Sequence, residues 1–173
     1  MINFNNIRGD SVEGQRSFFE QLICHLAALD RGGGECRRID GSGGDGGVEA
    51  LRILPSGRKV GYQAKYYSSR DKIDWNKIDN SVKTAFKQHP ELERYVIAIA
   101  CDFTGKRNAR GGSTEGVWGI WDSYVQQWGE LASNGVAFEP WTAFEIESRL
   151  LKPEAEHLIK SFFSGKIFSR EWM

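Results

Sequence analysis

The tightest constraint on the fold is a pair of apolar, β-rich arms, Val48 to Leu54 and Val60 to Tyr67, separated by Pro55-Ser56-Gly57. Proline presets one turn dihedral and glycine accepts another that other residues resist, so the three residues end one strand and begin the next. A hairpin in the first half of the chain is the consequence. Successive side chains on a strand point to opposite faces, which puts Gln63 and Lys65 on one face of the second arm. Counting back across the turn sets Glu49 opposite Gln63, and Asp45 near the end of the pair beside Lys65. Upstream, Arg38 marks a short strand, and the run Gly41-Ser42-Gly43-Gly44-Asp45-Gly46-Gly47 joins it to the first arm.

A carboxylate, an amide and an ammonium converging on one patch of sheet have a chemical use. Hydrolysis of a phosphodiester needs a cation against the charge that builds on phosphorus, and it needs an activated water. Asp45 offers hard oxygen of the kind Mg²⁺ prefers. Lys65 supplies a compact point charge to hold water and stabilise the transition state. Gln63 can turn its side-chain oxygen to the metal, and the Ala64 backbone carbonyl lies between the two side chains. Glycines at 41, 43, 44, 46 and 47 let backbone and phosphate approach without a Cβ in the way.

Asp45 followed by Gln63-x-Lys65 on a hairpin resembles the PD-(D/E)xK nuclease signature. The variant is the one with Gln in place of the acidic residue of the second motif, as in Mrr-like restriction endonucleases. The fuller phrase, Gly-Ser-Gly-Gly-Asp-Gly-Gly-Val-Glu with Gly-Tyr-Gln-Ala-Lys-Tyr-Tyr, is similar to the N-terminal double-stranded-DNA endonuclease domains of prokaryotic antiphage defence proteins. The likeness runs from about residue 10 to about residue 163. It implies an α/β, restriction-endonuclease-like core with a central mixed sheet flanked by helices.

It further implies a metal-dependent deoxyribonuclease using Mg²⁺, with Mn²⁺ as an alternative. In that family a glutamate on the preceding helix completes the metal site, and Glu20 in Ser-Phe-Phe-Glu-Gln-Leu matches it. Asp45 would be the principal ligand, with Gln63 and the Ala64 carbonyl in the shell. Lys65 would orient water, and Glu49 would be either a base behind the ligands or an alternative ligand. Ser42, Gly43, Lys106, Arg107 and Arg110 become the candidate contacts to double-stranded DNA. Such domains are commonly fused to a sensor or an oligomerising ATPase module that switches cleavage on, which implies a homo-oligomer or fusion partner and a prokaryotic cytoplasm. The competing expectation is a module that keeps the nuclease fold for DNA docking or assembly without cleaving.

Lys plus Arg and Asp plus Glu both total 23, so any attraction to DNA has to come from a local patch. The three cysteines, Cys24, Cys36 and Cys101, are scattered and form no CxxC pair, which argues against a disulfide framework or zinc site and for a reducing cytosol. No apolar run approaches a membrane span, and no charged-then-apolar leader opens the chain. The glycine run lacks the Gly-Lys-Ser/Thr ending of a phosphate-binding loop. His25, His89 and His157 stand apart, and no nucleophile-elbow pattern is present.

In chain order, Met1 to Gly9 reads as a loose lead-in. Asp10 then caps a helix with Glu13 as its capping-box partner, and Phe18, Leu22, Leu26 and Leu29 recur at helical spacing until Gly32-Gly33-Gly34. Glu20 lies at the margin of that face beside Ile23 and Ala27, either solvated or leaning toward the sheet edge. Asp74 caps a second helix striped by Trp75, Ile78, Val82, Ala85 and Phe86, ending near His89-Pro90. Tyr95 to Ala100 is the continuous apolar run of a strand covered on both faces, and the helix before it favours a parallel crossover.

Asp102 to Gly116 is a long glycine-rich loop, either a phosphate-gripping element or a charged surface loop. Trp118, Trp121, Tyr124, Val125 and Trp128 form an aromatic helical stripe, which reads as core rather than as a platform for bases. Val136 to Trp141 is a last strand, Thr142-x-x-Glu145 a further capping box, and Pro153 opens a closing helix that ends at Phe163. The nuclease domain is accordingly expected over residues 1–163. Residues 164–173, with Ile167, Phe168 and Trp172, are expected to be a tail or the start of a linker.

Overall fold

A computed structural model of the chain describes residues 1–39, 46–105, 116–132 and 135–163. The predicted hairpin is the middle of a five-stranded sheet in the order β1-β2-β3-β4-β5. Its strands are β1 (Glu35–Arg38), β2 (Ala50–Ile53), β3 (Lys59–Lys65), β4 (Leu92–Ile99) and β5 (Ala137–Trp141). β1, β2 and β3 are antiparallel neighbours, with Ala50 facing Tyr62 and Arg38 facing Ala50. β3 and β4 run parallel, with Gln63 facing Ile97 and Lys65 facing Ile99, and β5 continues in parallel beyond β4. The sheet is therefore mixed. A helix intervenes between each parallel pair, because a parallel return needs a long crossover.

Two apolar clusters cover the two faces. On one, α1 (Val12–Ala28), α4 (Ala143–Leu150) and α5 (Glu156–Phe162) pack Phe19, Leu22, Ile23, Ile146, Leu150 and Leu158 against Tyr62, Ala64, Val96 and Trp141. On the other, α2 (Trp75–Gln88) and α3 (Gly116–Leu131) pack Ile78, Val82, Trp121 and Trp128 against Leu51, Tyr95, Ile97 and Ile99. β4 is buried along almost its whole length, as its unbroken apolar run requires. The aromatic stripe of α3 is core: Trp121 and Trp128 are buried, and Tyr124 stacks on Trp75 at 5.5 Å. Among the described residues, no helix is long and apolar enough to cross a membrane.

Four local expectations are corrected. The lead-in is not loose: Ile2, Phe4 and Ile7 are buried, Phe4 meets Phe19 and Phe163 edge-on, and Phe4–Asn6 forms a 3-10 turn. Apolar residues spaced this irregularly carry no periodic signal, yet they fill the gap between α1 and α5. The α1 cap is Ser11, whose Oγ accepts from the Gly14 N–H at 3.1 Å, one residue later than the expected Asp10. Thr142 holds the cap position of α4 without a side-chain hydrogen bond; the carboxylate of Asp102, from the loop after β4, accepts from the Phe144 N–H at 2.9 Å instead. The closing helix begins at Glu156, after Ala155, rather than at Pro153.

Candidate active site

β3 positions the site. Its last residues, Gln63, Ala64 and Lys65, lie at the carboxyl end of the parallel pair, where α/β sheets usually bind their ligands. β2 begins at Ala50, so Glu49 stands at its threshold, with its N–H on the Tyr62 carbonyl at 2.8 Å. The expected pairing across the hairpin is present: Gln63 Nε2 donates to Glu49 Oε1 at 2.8 Å. The Ala64 N–H donates to Glu49 Oε2 at 2.6 Å. The carboxylate thus takes up a backbone donor at the point where the β2–β3 ladder has ended. Glu49 is 8% exposed and Gln63 is 1% exposed. A carboxylate held by two donors loses its rotational freedom while keeping further lone pairs for a third partner.

Gln63 does not present its oxygen outward. Nε2 is committed to Glu49, and Oε1 lies 3.3 Å from the Tyr95 hydroxyl inside the sheet's second face. In this arrangement the amide orients the Glu49 carboxylate. The Ala64 carbonyl lies 3.4 Å from the same Nε2. Lys65, two residues past Gln63 on the same face, is partly exposed, and among the described residues it makes no ion pair.

Asp45, Ser42 and Gly43 of the glycine run lie outside the described residues, as do Lys106, Arg107 and Arg110 of the long loop. Of the five glycines, Gly46 and Gly47 are described, and their close approach is to α2 rather than to open space. Gly47 has φ +77°, and a Cβ there would collide with the Ser81 carbonyl oxygen and lie 2.9 Å from the Ala85 nitrogen. The turn that carries the site is seated on the backbone of a helix.

Glu20 reaches the same neighbourhood from α1. It sits one helical turn before Cys24, whose thiol donates to the Glu49 carbonyl at 3.5 Å. Burial pushes the Cys24 thiol up to about 12; Arg38 opposes the rise, while Glu49, Cys36 and Glu20 reinforce it. In the metal-free chain this sulfur is a protonated donor at neutral pH. The oxygens of Glu49 and Ala64 are hard donors, the set that suits Mg²⁺ or Mn²⁺ rather than Zn²⁺.

Comparison with models of protein families found no match. Comparison with curated proteins found no relative either.

Three residues at this corner were not assigned to it from sequence. Arg38, facing Ala50, brings a positive charge to bear on the Cys24 thiol at this corner. Cys24 touches the strand start. Tyr95 lies beneath Gln63 as the one hydroxyl in an otherwise aliphatic run. Its signal was Gly61, a glycine inside a strand, which marks a place where something else must come close.

Proposed function

We propose that this chain is a metal-dependent endonuclease domain with a restriction-endonuclease-like core, acting on double-stranded DNA. One observation carries the reading: a buried carboxylate, Glu49, is fixed by Gln63 and the Ala64 N–H at the carboxyl end of β3, with Lys65 two residues along on the same face. A brace for the fold has no need of a lysine on the same face of the same strand end. A phosphodiesterase needs both.

Glu49 and the Ala64 carbonyl would hold the divalent ion, with Glu20 leaning in from α1 and Asp45 from the preceding turn. Bound there, the ion supplies the positive charge that offsets the developing negative charge on the phosphate. Gln63 and the Ala64 N–H keep the Glu49 carboxylate aimed. Lys65 donates to the attacking water and to a non-bridging oxygen, where its charge is worth most as the transition state forms. Arg38 and the basic loop residues Lys106, Arg107 and Arg110 grip backbone phosphates. The resemblance of the Asp45–Gln63–Lys65 phrase extends the proposal to an effector domain of an antiphage defence protein, switched on by oligomerisation or by a fused sensor.

Relaxation of supercoiled plasmid tests the proposal, with Mg²⁺ or Mn²⁺ and with the chain tethered as a dimer to supply assembly. Wild type is expected to nick and linearise. Glu49→Gln, Asp45→Ala and Lys65→Ala should each lose about 10²–10³-fold, the usual cost of one transition-state group. Cleavage surviving in all three discards the site. DNA binding by a tethered wild type that never cleaves replaces the enzyme with a docking module.

A further inference from the structure

We infer that Tyr95 is the positioning residue of this site, setting the glycine turn that leads into Glu49 from the far side of the sheet. The inference rests on the reading of the Glu49 corner as a metal-binding phosphodiesterase centre.

Tyr95 belongs to β4, yet its hydroxyl donates to the Gly47 carbonyl, forty-eight residues away in sequence and two residues before Glu49. To get there the ring must lie across β3. Gly61, which faces Tyr95 in the parallel ladder, makes this passage available: a Cβ at Gly61 would sit 3.1 Å from the Tyr95 ring and 2.9 Å from Val48 Cγ1. The ring is fully buried and flanked by Phe86 and Phe138, with centroids at 6.3 and 6.5 Å, so the hydroxyl has little latitude.

The opposite side of the turn is closed by α2, whose Ser81 carbonyl and Ala85 nitrogen leave no room for a side chain at Gly47. Gly47 is therefore held between a helix backbone and a phenol. The same phenolic oxygen lies 3.3 Å from Gln63 Oε1, and Gln63 in turn holds Glu49. The single phenolic proton goes chiefly to the carbonyl of the turn that delivers the carboxylate, and the same oxygen lies against the amide that aims it. Groups that orient a metal ligand in this way typically change metal affinity when removed, while leaving the chemistry of the loaded site largely intact.

Tyr95→Phe, compared with Tyr62→Phe in the full 173-residue chain, separates positioning from general stability. Tyr62 also buries a hydroxyl, which donates to Asp30 at 2.7 Å, but on the other face of the sheet. Both variants should melt several degrees lower. Tyr95→Phe alone should raise the Mg²⁺ concentration for half-maximal plasmid cleavage about tenfold and weaken Mn²⁺ binding in calorimetry by a similar factor, with the rate at saturating metal within about twofold of wild type. Gly61→Ala, which keeps the hydroxyl but crowds the ring, should move the metal dependence in the same direction by less, and it carries the test if Tyr95→Phe fails to fold. A Tyr95→Phe variant with wild-type metal dependence overturns the inference, as does an equal shift in Tyr62→Phe. A wild type that neither binds Mn²⁺ nor cleaves is a different failure: it removes the metal site itself, and the inference with it.

Discussion

At the amino end of β3 and β4, Arg94 places Nη1 on Asp30 at 2.6 Å and Nε on Glu139 at 2.8 Å. Arg149 and Arg31 add two further guanidiniums to Glu139, at 3.2 and 3.5 Å, while the Tyr62 hydroxyl donates to Asp30 and the Trp141 indole to Glu139. At the carboxyl end of the same strands, Glu49 is held by an amide and a peptide N–H, with Lys65 nearby and unpaired among the described residues. The first cluster brings guanidinium and carboxylate together directly, so its carboxylates are committed to its own cations. At the second, the described donors to the Glu49 carboxylate are an amide and a peptide N–H, and Lys65 follows Gln63 by two residues on the same strand face. Carboxylates committed to guanidiniums are costly to disturb; a fixed carboxylate on a strand end that also presents a lysine suits an anionic substrate and a metal.

Arg94→Met gives the largest effect that would sharpen this contrast. It leaves the buried Asp30 carboxylate without its cation, while Glu139 keeps Arg149 and Trp141, and the expected loss is about 3 kcal/mol of stability, read by urea unfolding. Cleavage per folded molecule should stay near wild type. A variant that melts normally but loses activity would erase the division between brace and site.

Acid should separate the two ends next. Burial alone would raise the Glu139 carboxyl, but hydrogen bonds from Arg94 and Trp141, with the charges of Arg94 and Arg149, hold it at about 2 against an ordinary 4.5. A depressed folded value means the stabilisation is fully present above 4.5 and is lost as pH falls toward 2. Thermal melts are expected to fall steeply across that window. Glu139→Gln should melt lower at neutral pH and show a shallower acid slope. An unchanged slope would remove Glu139 from the account.

Smaller effects test how the carboxyl end of β4 is tied down. Asp102→Ala removes the bond to the Phe144 N–H and should cost about 1 kcal/mol, the usual worth of a cap. Thr142→Val, which keeps the volume of this buried side chain and removes no cap bond, should cost clearly less than Asp102→Ala. Equal costs would mean that Thr142 caps α4 after all.

The parts of this molecule legible in sequence are those governed by local rules. Pro55-Ser56-Gly57 and the alternation on either side fixed the hairpin register well enough to place Glu49 opposite Gln63. Asp74 capped α2 as its position required, with Oδ1 accepting from the Lys77 N–H at 3.1 Å. The unbroken run from Tyr95 marked β4 as the covered strand. What escaped the sequence depends on contacts between distant residues. Asp30, Arg94 and Glu139 meet only because the sheet brings three separate elements together, and none of them belongs to a recognisable spacing. The cap of α4 passed from Thr142 to Asp102 because the loop after β4 delivers a better acceptor. The glycine turn has a structural reason, seating on α2, beside the one assigned to it, and Tyr95 was hidden inside a run that reads as plain core.

The most direct test of the metal centre at the Glu49 corner is anomalous diffraction from crystals of this chain soaked in Mn²⁺. A manganese peak is expected at the carboxyl end of β3, within about 2.2 Å of a Glu49 carboxylate oxygen. Manganese bound elsewhere in the chain while that corner stays empty and open to solvent would contradict it.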